Sequence, residues 1–157
     1  MINYRIQNRF IISLSFMIAI ILQIIPLPIR TCIFYPSWVL LTFIYWTSVF
    51  PYLFNLRIIF ILGIFIDLII GTTLGVHALA FIVISYFLIV LKLHLFLKLA
   101  IWYQILIIML LSLFVKIIIF LLNFLVIHIS FQSEIFWNAI VDGIIWPVIS
   151  FLIKKNC

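Results

Sequence analysis

The stretch that decides the fold is Leu99–Ile127, which reads LAIWYQILIIMLLSLFVKIIIFLLNFLVI. Its single charged residue is Lys116, and the remainder is almost entirely apolar. An α-helix needs about 20 consecutive apolar residues to cross the roughly 30 Å hydrocarbon core of a bilayer. The stretch therefore predicts a transmembrane helix.

The whole chain shares this composition. Of its 157 residues, 69% are hydrophobic and 8% are charged, whereas soluble domains are about half apolar and a quarter charged. Runs such as Ile105–Leu111 lack the alternation that a transmembrane barrel would need. We predict an all-α integral membrane protein, a single domain over residues 1–157 that forms a bundle of six transmembrane helices. The predicted helices cover residues 10–27, 37–54, 58–71, 75–91, 99–127 and 135–153.

Prolines mark the ends of the first two predicted helices. Pro26 and Pro28 follow the first apolar run. Because no small-x-small cleavage site precedes them, we expect a retained helix and not a signal peptide. The second apolar run is short for a membrane span, so we expect this helix to continue through a kink at Pro51.

Lysine and arginine residues set the predicted orientation. With six helices, all but two of them lie on the side of the termini; Arg30 lies on the opposite side, and Lys116 lies within a helix. Cytoplasmic loops carry an excess of Lys and Arg, so both termini are predicted to be cytoplasmic. The thin spread of these charges argues against nucleic-acid binding despite the net charge of +6. The residues on the predicted cytoplasmic side are Arg5, Arg9, Arg57, Lys92, Lys98, Lys154 and Lys155.

Three charged residues lie inside predicted helices, namely Asp67, Lys116 and Asp142. On insertion scales such a residue costs about 2.5–3.5 kcal/mol at a helix centre, so it usually faces the interior of the bundle. Three interpretations are open: an internal salt bridge that fixes helix packing, a partner-binding role, and an ion or proton path.

Asp67 belongs to a stripe of small residues spaced by four, Gly63-x-x-x-Asp67-x-x-x-Gly71-x-x-x-Gly75. Four-residue steps stay close to one helix face, and glycines on such a face let a neighbouring membrane helix approach closely. We therefore expect Gly71→Leu to separate two helices. As an alternative, Gly71 and Gly75 form the turn between the third and fourth helices.

The fifth and sixth predicted helices each carry a polar face. In the fifth, the polar residues fall within an arc of about 120° at 100° per residue, and in the sixth Asn138, Asp142 and Trp146 recur every four residues. Lys116 and Asp142 differ in depth by roughly 3 Å at 1.5 Å per residue. They are predicted to form a buried ion pair, with Asp67 as the next candidate partner of Lys116. The polar residues of the fifth helix are Gln104, Ser112, Lys116 and Asn123.

The remaining reactive residues show no catalytic or metal-ligand spacing. His77, His94 and His128 lie near predicted membrane boundaries, where we expect them to reach towards the interface. The tryptophans lie mostly towards helix ends, as interfacial anchors do. Cys32 and Cys157 lie on opposite predicted sides and receive no role. We predict no enzymatic activity, no cofactor and no metal.

Short motifs along the whole chain resemble one known family in the same order. They are PSWVLL at residues 36–41, DLIIGTTLGV at residues 67–76 and GIIWP at residues 143–147. In these motifs the chain resembles the bacterial rod shape-determining MreD family. The residues expected to serve helix packing or partner contact are Gly63, Asp67, Gly71, Gly75, Lys116, Asp142, Trp146 and Pro147.

The resemblance implies a non-enzymatic, multi-pass protein of the bacterial inner membrane. It implies a scaffold that links the MreB filament and MreC with the RodA glycosyltransferase and a penicillin-binding transpeptidase during cell elongation and peptidoglycan synthesis. It also implies a fold similar to the substrate-binding subunits of energy-coupling-factor transporters. The alternative function is a small solute- or vitamin-binding transporter subunit, for which the polar groups are few and the outer loops short.

Overall fold

A computed structural model describes residues 2–25, 36–90, 93–127 and 134–156. Six α-helices account for most of them, and no strand occurs within these ranges. Two short 3₁₀ segments, Pro51–Leu53 and Leu93–Lys98, lie before the third and fifth α-helices. The helices are α1 (Ile2–Ile24), α2 (Trp38–Val49), α3 (Leu56–Ile70), α4 (Val76–Val90), α5 (Ile101–Ile127) and α6 (Glu134–Asn156).

The observed helix bounds correct two predictions. The α1 helix begins at Ile2, so the polar residues before the first apolar run are helical as well. The α2 helix ends at Val49 and does not continue through a kink at Pro51. Proline has no backbone donor and clashes with the preceding turn, and here it starts a separate 3₁₀ turn. The other four helices agree with prediction to within a few residues.

The α2 helix lies at the centre of the fold. It contacts α1, α4, α6 and the 3₁₀ segment at Leu93–Lys98, and its residues 39–48 are all buried. A helix that is apolar all round belongs inside a protein, and α2 lacks a polar face. Consecutive helices also pair as α1 with α2, α3 with α4, and α5 with α6.

Aromatic side chains fill the core around α2. The rings of Phe43 and Phe81 stack with their centroids 4.6 Å apart, and Trp46 and Trp146 are completely buried. The expectation that tryptophans act as interfacial anchors is therefore wrong for these two. Their position in the sequence near helix ends did not reveal that both helices turn these residues inward.

Two helices in the described part of the chain are long and apolar enough to cross a membrane. They are Ile101–Leu125 in α5 and Ile135–Lys154 in α6, and only 17% and 28% of their most apolar windows are buried. The core helix of a soluble protein would be mostly buried. Shorter apolar helices cover Phe10–Ile24, Trp38–Val49 and Val76–Val90.

Candidate functional site

The first buried polar cluster surrounds Asp67, whose side chain is fully buried near the end of α3. Its Oδ1 accepts hydrogen bonds from the Thr72 hydroxyl at 2.9 Å and from the His77 backbone N–H at 3.2 Å. His77 Nδ1 lies 2.6 Å from the same oxygen. Oδ2 accepts from the Gly75 backbone N–H at 2.8 Å.

This geometry makes Asp67 a cap for the next helix. Gly75 and His77 flank the first residue of α4, where backbone N–H groups have no partner within the helix. A carboxylate is favoured there because the helix dipole is positive at this end. The charge of Asp67 is thus held by the α3–α4 junction, and Lys116 is not its partner.

His77 corrects an expectation. It was predicted to reach towards the membrane interface, but its side chain is only 17% exposed and contacts Asp67. The turn at residues 71–75, after the end of α3, brings position 77 back beside position 67. Thr73 in the same turn donates a hydrogen bond to Asn123 Oδ1 of α5 at 2.9 Å. His94 has no described side chain, and His128 lies outside the described residues.

The structure confirms the predicted helix-packing role of the glycine stripe only in part. A Cβ on Gly63 would lie within 2.7 Å of the Ala78 backbone nitrogen, so Gly63 does permit close contact between α3 and α4. Gly71 and Gly75 instead form the turn, with φ of 74° and 94°, and a Cβ on either would meet nothing within 4 Å. The expectation that Gly71→Leu separates two helices is wrong because Gly71 faces open space.

The second cluster surrounds Asp142, which is fully buried in α6. Lys116 Nζ lies 2.8 Å from Asp142 Oδ2, which confirms the predicted contact between α5 and α6. The Ser112 hydroxyl donates to the same oxygen. Both donors belong to the polar face of α5, which therefore does turn towards protein.

Asp142 also contacts a third helix. Its Oδ1 accepts a 2.7 Å hydrogen bond from the backbone N–H of Ser37, which immediately precedes α2. Asp142 thus accepts a hydrogen bond from a backbone N–H at the start of α2, as Asp67 does at the start of α4. Sequence reasoning missed Ser37, although a serine directly before an apolar helix is a usual helix-start signal.

A third contact ties α5 to α6 near their other ends. Trp146 Nε1 donates to Gln104 Oε1 at 3.2 Å, while Gln104 Nε2 donates to the carbonyls of Leu97 and Leu99 at 3.1 and 2.8 Å. Pro147 follows inside α6. Gly143, which was not singled out from sequence, allows α5 to approach, since a Cβ there would lie 3.0 Å from Met109 Sδ.

A small cavity of about 60 Å³ lies between the two carboxylate clusters. Its lining includes His77 from the first cluster and Ser37 and Lys116 from the second. This volume exceeds the roughly 10–15 Å³ that one buried water requires. Within the described residues, no three His, Cys, Asp or Glu side chains come together to hold a metal ion.

Comparison with known proteins identifies the family. The family model described as rod shape-determining protein MreD matches residues 4–156. This chain belongs to the MreD family. The MreD protein of Haemophilus influenzae (strain ATCC 51907 / DSM 11121 / KW20 / Rd), named "Rod shape-determining protein MreD", is 34% identical over 155 residues, which are 95% of this chain and 94% of that relative.

Membership of the MreD family places the chain among rod shape-determining proteins and confirms the resemblance seen in the motifs. No solved structure matches the chain significantly. The expected similarity of MreD folds to energy-coupling-factor transporter subunits therefore stays a prediction for this chain.

Proposed function

We propose that this protein is a non-enzymatic, multi-pass scaffold of the bacterial inner membrane within the cell-elongation complex. The observation that carries the proposal is the MreD match over residues 4–156. In the proposed arrangement six helices cross the membrane and both termini are cytoplasmic. The large apolar side chains exposed on α5 and α6 would contact lipid.

The use of the buried polar groups supports a scaffold. Asp67 and Asp142 each accept hydrogen bonds from the start of another helix, and Asp142 also accepts from Ser112 and Lys116. Buried polar groups satisfied in this way fix one helix arrangement. A fixed arrangement suits a protein that presents surfaces to partners.

The partners we propose are MreC, MreB, RodA and a penicillin-binding transpeptidase. Arg57, Lys98 and Lys154 are exposed and lie on the predicted cytoplasmic side, where they would face the MreB filament. Complementary charge steers association and fixes orientation more than it adds affinity. The membrane-embedded partners would contact exposed apolar surfaces outside α5 and α6, such as those of α1 and α3.

A vitamin-binding transporter subunit is not supported. A small-molecule site needs a pocket with several convergent polar groups. The cavity of about 490 Å³ between α1 and α3 is lined almost entirely by apolar side chains such as Phe16, Leu62 and Phe65. Gln104, which lines another cavity, is already bonded to Leu97, Leu99 and Trp146.

Co-purification from cross-linked native membranes tests the proposed partners. Tagged wild-type protein is expected to retain MreC and MreB, whereas Gly63→Leu is expected to lose both because it pushes α3 away from α4. Leu110→Ala, on an exposed position of α5, is the matched control and should retain them. Recovery of MreC and MreB no greater than with an unrelated tagged membrane protein would contradict the proposal.

A further inference from the structure

A second large cavity lies at the end of the bundle where α5 begins and α6 ends. Its volume is about 520 Å³, within the roughly 300–1,000 Å³ of ligand pockets. It is separate from the two carboxylate clusters, and its lining includes Leu97, Ile101, Gln104, Pro147, Phe151 and Lys154.

The walls of this cavity combine apolar side chains with a few polar groups. The side-chain amide of Gln104 donates to Leu97 and Leu99 and accepts from Trp146. The hydroxyl of Ser150, which also lines the cavity, donates to the Pro147 carbonyl at 3.0 Å. Because Gln104 and Ser150 are already bonded, the apolar part of the lining, which includes Leu97, Ile101 and Phe151, suits a hydrocarbon chain.

The rim of the cavity is cationic. Lys154 is exposed and lines the cavity, and Lys98, next to Leu97 in the chain, is exposed as well. At 1.5 Å per residue, the acidic residues of the same helix, Asp142 and Glu134, lie about 18 and 30 Å from Lys154 along α6. Lys154 therefore creates a positive potential at the cavity that acidic residues of α6 do not offset.

Two exposed aromatic residues place the cavity at the membrane surface. Trp102 is 79% exposed and Tyr103 is 64% exposed in the first turn of α5. Such residues concentrate at the level of the lipid headgroups. At this depth a ligand would meet lysines on the headgroup side and apolar walls on the acyl side.

We propose that this cavity binds an anionic phospholipid of the cytoplasmic leaflet. Lys154 holds the headgroup phosphate, and an acyl chain lies against Leu97, Ile101 and Phe151. Basic pockets between transmembrane helices on the cytoplasmic side are suited to acidic headgroups. The inference rests on the proposed membrane placement, and not on the proposed protein partners.

Native mass spectrometry of the purified full-length protein tests the site. Phosphatidylglycerol and phosphatidylcholine with identical acyl chains are added to the delipidated protein, and the retained lipid is counted. Lys154→Gln is compared with Arg57→Gln, an exposed cation on α3 that does not line the cavity. Ile101→Trp, which fills the cavity, is compared with Leu110→Trp, at an exposed position of the same helix.

Wild-type protein is expected to retain phosphatidylglycerol in preference to phosphatidylcholine. Lys154→Gln should lower phosphatidylglycerol retention about fivefold, the fold-change that corresponds to one basic residue at a membrane surface, and Arg57→Gln should leave it unchanged. Ile101→Trp should lower retention, and Leu110→Trp should not. All four positions are exposed, so each variant is expected to fold, which gel filtration checks.

Three results would overturn the inference. They are equal retention of the two lipids by wild-type protein, equal loss in the two cation variants, and equal loss in the two tryptophan variants. Binding of inorganic phosphate as tightly as phosphatidylglycerol would also overturn it, because the acyl chain would then contribute nothing. Lipid retention is measured without partners, so its failure would leave the co-purification result of the proposed scaffold intact.

Discussion

At the scale of single residues, two carboxylates explain how charges are tolerated inside this bundle. Asp67 and Asp142 are fully buried, and an isolated charge at such a depth would be costly. Each instead accepts from backbone N–H groups at the start of another helix. Those N–H groups also need partners in an apolar medium, so one contact satisfies both groups.

The Lys116–Asp142 pair leads to the first prediction. Lys116→Met should destabilise the protein by roughly 3 kcal/mol or more, because removing one partner of a buried pair leaves the other charge unpaired. Adding Asp142→Asn should restore most of the loss, since the amide oxygen can still accept from Ser37. Thermal unfolding in detergent measures this. A double variant as unstable as the sum of the two single variants would refute the pair's energetic role.

The Asp67 cap leads to the second prediction. Asp67→Ala should cost about 1–2 kcal/mol, the usual loss when a helix cap is removed, because the N–H groups of Gly75 and His77 lose their acceptor. Asp67→Asn should cost less, and so should His77→Ala, which leaves the carboxylate in place. The same unfolding assay compares them. A loss in His77→Ala that exceeds the loss in Asp67→Ala would show that the capping account is incorrect.

Sequence alone predicted one of these two clusters in part. Lys116 and Asp142 lie at similar depths on polar faces of consecutive helices, and helix periodicity was sufficient to pair them. The contact with Ser37 depends on how deep α2 begins, which periodicity does not give. The partner of Asp67 was missed because His77 is brought back by a turn whose geometry depends on two glycines with positive φ.

At the scale of elements, α3 and α4 pack closely at Gly63, and their connection depends on Gly71. A Cβ at Gly63 would overlap the Ala78 backbone, whereas a Cβ at Gly71 would meet open space. The two glycines are therefore needed for different reasons. Gly63 is needed because there is no room for a side chain beside the Ala78 backbone. Gly71 is needed because its backbone is left-handed, with a φ of 74°.

This difference leads to the third prediction. Gly71→Ala and Gly71→Leu should cost the same, about 1–2 kcal/mol, because the left-handed backbone is disfavoured for both residues. Gly63→Leu should cost much more than Gly63→Ala, because the neighbouring backbone leaves no room for a larger side chain. Unfolding of the four variants measures both comparisons. A clear dependence on side-chain size at Gly71 would contradict the open surroundings of that residue.

Helix number was easier to predict than helix ends. Apolar runs without alternation, such as Ile105–Leu111, predict helices and not barrel strands in a membrane. Six helices then followed from composition and length. The kink at Pro51 was wrong because a short second helix was extended to reach a full membrane span. In the structure α2 ends at Val49, and a separate 3₁₀ turn at Pro51–Leu53 follows it.

At the scale of the whole molecule, the basic residues predict the orientation. Three exposed basic residues lie at helix ends, as cytoplasmic charges do. Arg57 lies in the first turn of α3, Lys98 precedes α5, and Lys154 lies in the last turn of α6. The fourth prediction is that periplasmic reporters fused after Thr31 and Gln132 are active, whereas reporters fused after Asn55, His94 and Lys155 are silent. An active reporter after Lys155 would mean an odd number of crossings and would overturn the orientation.

The biological role of this chain does not follow from the physical chemistry of its side chains alone. Composition argued against a soluble protein, the spread of charges against nucleic-acid binding and the lack of alternation against a barrel. The buried polar groups indicated fixed packing. Nothing in side-chain chemistry names a partner, because the proposed scaffold would use ordinary apolar and charged surfaces. The role came from the motifs at residues 36–41, 67–76 and 143–147, and the family match over residues 4–156 confirmed their origin.

The most direct test of the central claim is depletion of this protein in a rod-shaped host. Cell width and length are then measured by microscopy as the protein disappears and after re-expression from a plasmid. We expect depleted cells to widen and round up, and we expect wild-type protein, but not Gly63→Leu, to restore rods. Cells that keep a normal rod shape and normal lateral wall growth after complete depletion would contradict the proposed scaffold.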